Sequence, residues 1–195
     1  MKVLGLASYP IETAATRYRL AQFVEPLAER GIELNVRPFM DSKTFRGLYN
    51  RANLPKTIFG LMTAGFGRLK DVLDAGKFDA MLIQREAMLF GPPFVEWIAK
   101  SWQKIPLVLD LDDASYIPQT SLVYGKIGTA LKFPGKTDSL IKWAETVTCG
   151  NPVIARHVTA QGKNAVVIPT VVDTNKFCPR QPDLQNEKLI IGWIG

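Results

Sequence analysis

The chain has little of what holds metals or disulfides: two cysteines, Cys149 and Cys178, and one histidine, His157, among 195 residues. The cysteines share no metal-ligand spacing and build no disulfide framework, and Cys149 reads as a small buried hydrophobe. One histidine leaves no His-rich metal site. A Ser/His triad would have to use His157, which falls on an expected helix with no partner pattern around it. Long apolar runs are missing too. The first, residues 3–7, is too short for the hydrophobic region of a signal peptide and far too short to span a bilayer. The expectation is a cytoplasmic protein, mature from its first residue, with the option of a peripheral place at the inner membrane face.

Acid is absent from one stretch. Between Ser42 and Lys70 stand Lys43, Arg46, Arg51, Lys56, Arg68 and Lys70 and no aspartate or glutamate, so this segment alone equals the formal net charge of +6. Phe45, Leu48, Tyr49, Ile58, Phe59, Met62 and Phe66 are interleaved with these cations. That mixture suits a basic amphipathic surface meeting anionic lipid headgroups, with the six cations as its membrane-facing set. The competing explanation is that the apolar residues belong to the core. Nucleic acid is not an expected partner, because no recognised binding motif accompanies the charge.

What is present is globular. Hydrophobic residues make up 47% and charged residues 22%, which excludes disorder, and the length suits one domain with a real core. Residues 3–8, 32–39, 79–85, 106–111, 146–149 and 165–168 have buried-strand patterns. Helical spacing over 14–28 ends at Gly31, a C′ glycine. Residues 57–73 are expected to be helical despite Gly60, Gly65 and Gly67, each costing about 1 kcal/mol relative to Ala. A helix after Gly91-Pro92-Pro93 is expected to turn Trp97, Ile98 and Trp102 inward. Residues 117–137 lose periodicity and gain Lys126, Lys132 and Lys136, as a basic flap or a long surface loop would. Asn151 caps a last helix with Pro152 in its first turn. This alternation predicts an α/β fold, a doubly wound Rossmann-like parallel sheet with helices on both faces.

The densest chemistry lies at 106–116. An apolar strand ends in Asp110, Asp112 and Asp113, at the end where open α/β sheets bind ligands. Clustered carboxylates are costly unless a cation, a basic partner or a proton relieves them. Exposure at a strand end is the simpler explanation. Arg17 and Arg19, placed near the start of the first helix, could reach a phosphate or carboxylate lodged there.

Residues 166–177, Val-Val-Ile-Pro-Thr-Val-Val-Asp-Thr-Asn-Lys-Phe, resemble the inter-domain signature of family 4 glycosyltransferases. The closing residues 190–195, Ile-Ile-Gly-Trp-Ile-Gly, look like the first strand of that family's second domain. Thr16-Arg17-Tyr18-Arg19, Gly31-Ile32, Gln84-Arg85-Glu86, Asp110 to Asp113 and Asn151 follow in the same order. The resemblance spans essentially the whole chain and divides it into an acceptor-side domain (1–169), a linker (170–187) and the opening strand of a donor-binding domain (188–195).

It implies the N-terminal half of a GT-B fold and sugar transfer from a nucleotide sugar with retention of configuration. The nucleotide sugar is a co-substrate, and no cofactor or required metal is implied. The acceptor would be a polysaccharide or a lipid-linked glycan. Asp112 and Asp113 would orient or deprotonate the acceptor hydroxyl, while Ser8, Tyr9, Arg17, Arg19, Arg85 and Glu86 hold the acceptor. The residues that bind the donor's diphosphate belong to the second domain, so this chain alone is expected to be inactive. Ser8-Tyr9-Pro10 departs from the Gly-Gly pair of many members, which leaves the approach of that loop to a substrate open.

Three alternatives stand beside this. Asp110-Leu111-Asp112-Asp113 is similar to the haloacid dehalogenase signature, which implies a metal-dependent phosphatase, although Ala114 stands where that motif has Thr or Val. Asp110-Leu111-Asp112 also has the form of a metal-clamping DxD. The last alternative is a non-enzymatic binding module.

Overall fold

The computed structural model describes residues 1–118, 120, 125–133 and 135–179. The expected strand at 188–195 and the later part of the linker lie outside the described residues; residues 170–179 contain no helix or strand. Six parallel strands form one sheet: β1 (Lys2–Ala7), β2 (Glu33–Pro38), β3 (Ala80–Gln84), β4 (Leu107–Leu111), β5 (Thr146–Cys149) and β6 (Ala165–Val167). Their order is β2-β1-β3-β4-β5-β6. With the flanking helices this is a Rossmann-like doubly wound α/β fold. The chain leaves β1 toward β2 on one side and then places β3 on the other, so the topological switch point lies between β1 and β3.

The pleat sorts the strand residues. Leu4, Leu6, Met81, Ile83, Leu107, Leu109, Leu111, Val147 and Cys149 are buried in one continuous core. Four helices complete that core: α4 (Leu54–Leu73) through Val72, α5 (Phe94–Ile98) through Val95 and Ile98, α7 (Lys136–Trp143) through Leu140 and Ile141, and α8 (Pro152–Ala160) through Ile154 and Val158. Each such side chain removed from water contributes roughly 1.5–3 kcal/mol. The alternation leaves Gln84 and Asp110, register partners on β3 and β4, off that core.

Four expectations need correction. The helix expected over 14–28 is broken into α1 (Ala14–Arg19), a 3-10 turn (Ala21–Phe23) and α2 (Val24–Ala28). Pro26 is the physical reason: it has no N–H to give the carbonyl of Gln22 and its ring would clash there, so the helix restarts with Pro26 in its first turn. Gly31 does close the segment, at φ 75°.

Trp97 and Trp102 point outward, and Trp102 is 75% exposed. Because α5 starts at Phe94, Val95 and Ile98 take the inward positions, and a π-helical turn over Ala99–Gln103 widens the register that would have brought Trp102 back.

The helix expected over 57–73 starts earlier, at Leu54, with Pro55 in its first turn, a place where its missing N–H costs nothing. The stretch expected to be an aperiodic flap contains α6 (Gly125–Leu131) and the start of α7. The first of these is short, Gly-led and exposes Ile127 and Leu131, so it leaves no amphipathic signal.

The basic segment folds into α3 (Ser42–Gly47), a 3-10 turn (Arg51–Asn53) and α4. Asp41 caps α3, accepting from the Thr44 N–H at 2.8 Å. A small second core of Phe39, Met40 and Leu89, with Tyr9, Phe45 and Met88 against it, fastens this hairpin beside the strand exits.

Candidate functional site

Three loops converge where β1, β3 and β4 end. The first carries Ser8 and Tyr9, the second Arg85 and Glu86, the third Asp112 and Asp113. Ser8 is fully buried, and its hydroxyl donates to the Glu86 carbonyl at 2.8 Å, which ties the two loops across the switch point. Arg85 leaves β3 at φ 62° and donates its backbone N–H to the Asp110 carbonyl at 2.8 Å. A non-glycine residue held in the left-handed region stores roughly 1–3 kcal/mol, and such strain gathers at ligand sites.

The strain aims the guanidinium. Arg85 Nε and Nη2 donate to the two oxygens of Asp112 at 2.6 and 2.8 Å, a bidentate pair. Asp113 lies 3.9 Å from Arg85 and its side chain is 58% exposed. One of its oxygens accepts its neighbour Ala114 N–H at 2.8 Å. The two expected catalytic acids therefore differ in availability: Asp112 is held, and Asp113 faces the opening.

Glu86 meets Lys136 at 2.5 Å, and Lys136 also donates to the carbonyls of Met88 and Leu89 at 2.9 and 3.2 Å. Burial pushes the Glu86 carboxyl above its ordinary range, outweighing the ammonium beside it. Tyr9, its hydroxyl pushed up to about 12 by burial and by the Glu86 charge, forms the opposite wall. Tyr9, Arg85, Glu86, Asp113, Lys132 and Lys136 line a hollow of about 120 Å³.

Not every expected residue reaches it. Arg19 ends α1 instead of starting a long helix, because the chain turns at Leu20 (φ −128°, ψ −61°). Its side chain goes inward: Nε donates to Asp110 at 2.9 Å, Nη2 to the other oxygen of the same carboxylate, and Nη1 to the Ile168 carbonyl at 2.6 Å. Thr148 donates to Asp110 as well, at 2.6 Å. Asp110 is thus a fully engaged buried acid. Arg17 is exposed, with its guanidinium 4.8 Å from the Tyr18 ring.

No family model matches the chain, and no curated protein is significantly similar to it. The chemistry is therefore read from geometry. Among the described residues no group of His, Cys, Asp and Glu is arranged to hold a metal ion. Of the acids in the 110–113 motif, two are occupied by arginines. What remains open is a small concave site with one exposed carboxylate, Asp113, and the Lys132 ammonium, able to hold a hydroxyl-rich or anionic ligand and to take a proton from it.

Lys132 and Lys136 were legible only as cations of a basic stretch; the pairing of Lys136 with Glu86 left no local pattern. His157 does have partners, against expectation. Its Nε2 lies 3.0 Å from Asp138 and 2.9 Å from Gln161, and its ring stacks on Tyr116 at 3.6 Å. The i,i+4 spacing to Gln161 was the one available signal.

The six cations of the basic segment also separate. Lys43, Arg46, Lys56 and Lys70 are exposed, and Arg51 opens the 3-10 turn. Arg68 departs from the membrane-facing set: it is 1% exposed and donates to the carbonyls of Ala7 and Arg37, both at 3.0 Å. Its position on the inner side of α4 brings its guanidinium to the ends of β1 and β2.

Proposed function

We propose that this chain is the acceptor-binding domain of a retaining GT-B glycosyltransferase, which transfers a sugar from a nucleotide sugar to a polysaccharide or lipid-linked acceptor. The observation that carries the reading is the hollow at the switch point between β1 and β3, with Asp113 exposed at its mouth. At about 120 Å³ it is smaller than sites that enclose a whole ligand, roughly 300–1,000 Å³. A hollow of that size suits one wall of a cleft whose other wall is a second domain holding the donor. The order of motifs along the chain supports the same reading.

In this scheme Asp113 orients the acceptor hydroxyl or takes its proton, a role that requires hydrogen-bond reach. Arg85 keeps the loop in place and Asp112 neutralises it. Lys132 and Tyr9 provide donors for an acceptor phosphate or carboxylate, while Lys136, spent on Glu86 and two carbonyls, holds the wall of the hollow in place. The phosphatase reading is disfavoured because Asp110, its nucleophile, is buried against Arg19.

Ligand-observed NMR on this chain, with oligosaccharides and short-chain lipid-linked glycans beside UDP- and GDP-sugars, tests the reading. An acceptor should bind, Asp113→Asn and Arg85→Ala should weaken it about tenfold or more, and nucleotide sugars should not bind. Tight nucleotide-sugar binding by this chain would refute it. So would magnesium-dependent phosphate release that Asp112→Asn removes.

A further inference from the structure

Helix α4 is amphipathic in an unusual way: its outward side is the apolar one. Phe59 and Phe66 are 74% and 72% exposed, and Met62 is 59% exposed. These residues sit at i, i+3 and i+7, so they share one stripe, which Leu73 continues one further heptad along. Solvated helix faces are polar, and isolated surface hydrophobes are common, but a contiguous stripe of large side chains marks a surface that something covers.

Charge decides what covers it. Lys56 and Lys70 lie on the stripe's edge at opposite ends of the helix, and Lys43 and Arg46 are exposed on neighbouring α3. No acid interrupts residues 42–70. Between the two helices runs an open groove, to which Lys43, Arg46, Lys56 and Phe59 all contribute. It adjoins the stripe, since Lys56 and Phe59 belong to both. Aromatic and aliphatic side chains framed by lysines at both ends match an acyl–headgroup boundary, where apolar groups sink in and ammonium groups stay among phosphates. No helix of the described residues is long and apolar enough to cross a membrane, so α4 would lie in the interface plane.

We propose that the exposed stripe of α4, with Lys43 and Arg46 of α3, is a docking surface for an anionic lipid bilayer. The inference does not need the glycosyltransferase reading, since it rests on a surface outside the crevice. It also gives the crevice a setting. Tyr9 of the crevice wall packs edge-on against Phe45 of α3 at 5.6 Å, and Phe45 packs likewise against Tyr49. A bilayer under the hairpin would therefore lie beside the mouth where an acceptor enters.

Co-sedimentation of the whole chain with vesicles tests this, using 30% phosphatidylglycerol in phosphatidylcholine against pure phosphatidylcholine. Binding to the anionic vesicles should exceed binding to the neutral ones about tenfold or more and weaken from 50 to 500 mM salt. The double variant Phe59→Ser/Phe66→Ser should cut anionic binding about tenfold or more. Lys56→Glu/Lys70→Glu should erase the preference for anionic lipid. All four side chains are exposed, and unchanged circular dichroism would show that both variants keep the fold.

Failure of the wild-type chain to sediment with anionic vesicles at 50 mM salt overturns the proposal. Unaltered binding by both variants overturns it as well. A dimer seen by light scattering and abolished by Phe59→Ser/Phe66→Ser, without vesicle binding, would assign the stripe to a second copy instead. Acceptor binding in solution by a chain that ignores vesicles would leave the crevice reading standing and remove this one.

Discussion

The strand that ends in three aspartates is held together by two arginines from distant parts of the chain. Arg19 and Asp110 meet in the interior with side chains 4% and 5% exposed. Two charges taken out of water are costly, and their attraction offsets that cost only when the geometry is good and the remaining lone pairs are filled. Here they are: Thr148 and two guanidinium nitrogens serve the carboxylate, and the Ile168 carbonyl takes the third nitrogen. Removing one partner strands the other. Arg19→Met should cost about 3–5 kcal/mol, a fall in melting temperature on the order of 10 °C for a domain of this length. Arg19→Met/Asp110→Leu should cost less than Arg19→Met alone. Thermal melts of both decide it, and a single-variant loss under about 1 kcal/mol would mean the pair contributes like a surface one. The pairing was invisible in the sequence because the partners are far apart and nothing local records it. What could be read was the need: three carboxylates together require relief, and the structure supplies it with arginines.

Helix α4 shows how much an element owes to its neighbours. Its three glycines look alike in sequence, each a weak point in a helix. In the fold they differ. A Cβ on Gly60 would come within 2.5 Å of the Thr44 hydroxyl and 3.3 Å of its Cβ, so this glycine lets α3 approach α4. A Cβ on Gly67 would meet nothing within 4 Å. Gly67→Ala should therefore stabilise the chain by about 1 kcal/mol through helix propensity alone. In Gly60→Ala the same gain is opposed by overpacking of about 1–3 kcal/mol, so the variant should be net destabilised. Chemical denaturation of the two variants checks the contrast; equal and positive shifts would show that α3 yields without cost. The same helix explains an error of expectation in its charges. Spacing placed Arg68 in an amphipathic segment, yet its angular position is the inner one, where the Ala7 and Arg37 carbonyls accept from it. Strands were more legible than helices, since a buried parallel strand is a plain apolar run whereas short helices such as α5 and α6 expose apolar residues and carry no clean period.

The molecule as a whole carries buried acids whose effect on stability opposes that of its better-solvated ones. Burial raises Glu96, which accepts the Ala87 N–H at 2.9 Å, and burial raises Glu86 against the pull of Lys136. A raised carboxyl means that the folded chain holds protons the unfolded chain has released. Below the ordinary glutamate value of 4.5 that contribution is fully present, and it is lost as pH rises through the folded values. Asp138 runs the other way. Burial would raise it, but hydrogen bonds from His157 and Gln161 outweigh that and lower it, so its contribution is lost as pH falls below the ordinary 3.8. The two trends place the stability maximum on the acid side of neutrality. The melting temperature should be higher at pH 5 than at pH 8. Glu96→Gln keeps an amide oxygen to accept from Ala87 while removing the titration, so it should raise the melting temperature at pH 8 and flatten the slope. Adding Glu86→Gln should flatten it further, with Lys136 still held by the Met88 and Leu89 carbonyls. A slope that survives both substitutions would place the responsible protons outside this corner of the fold.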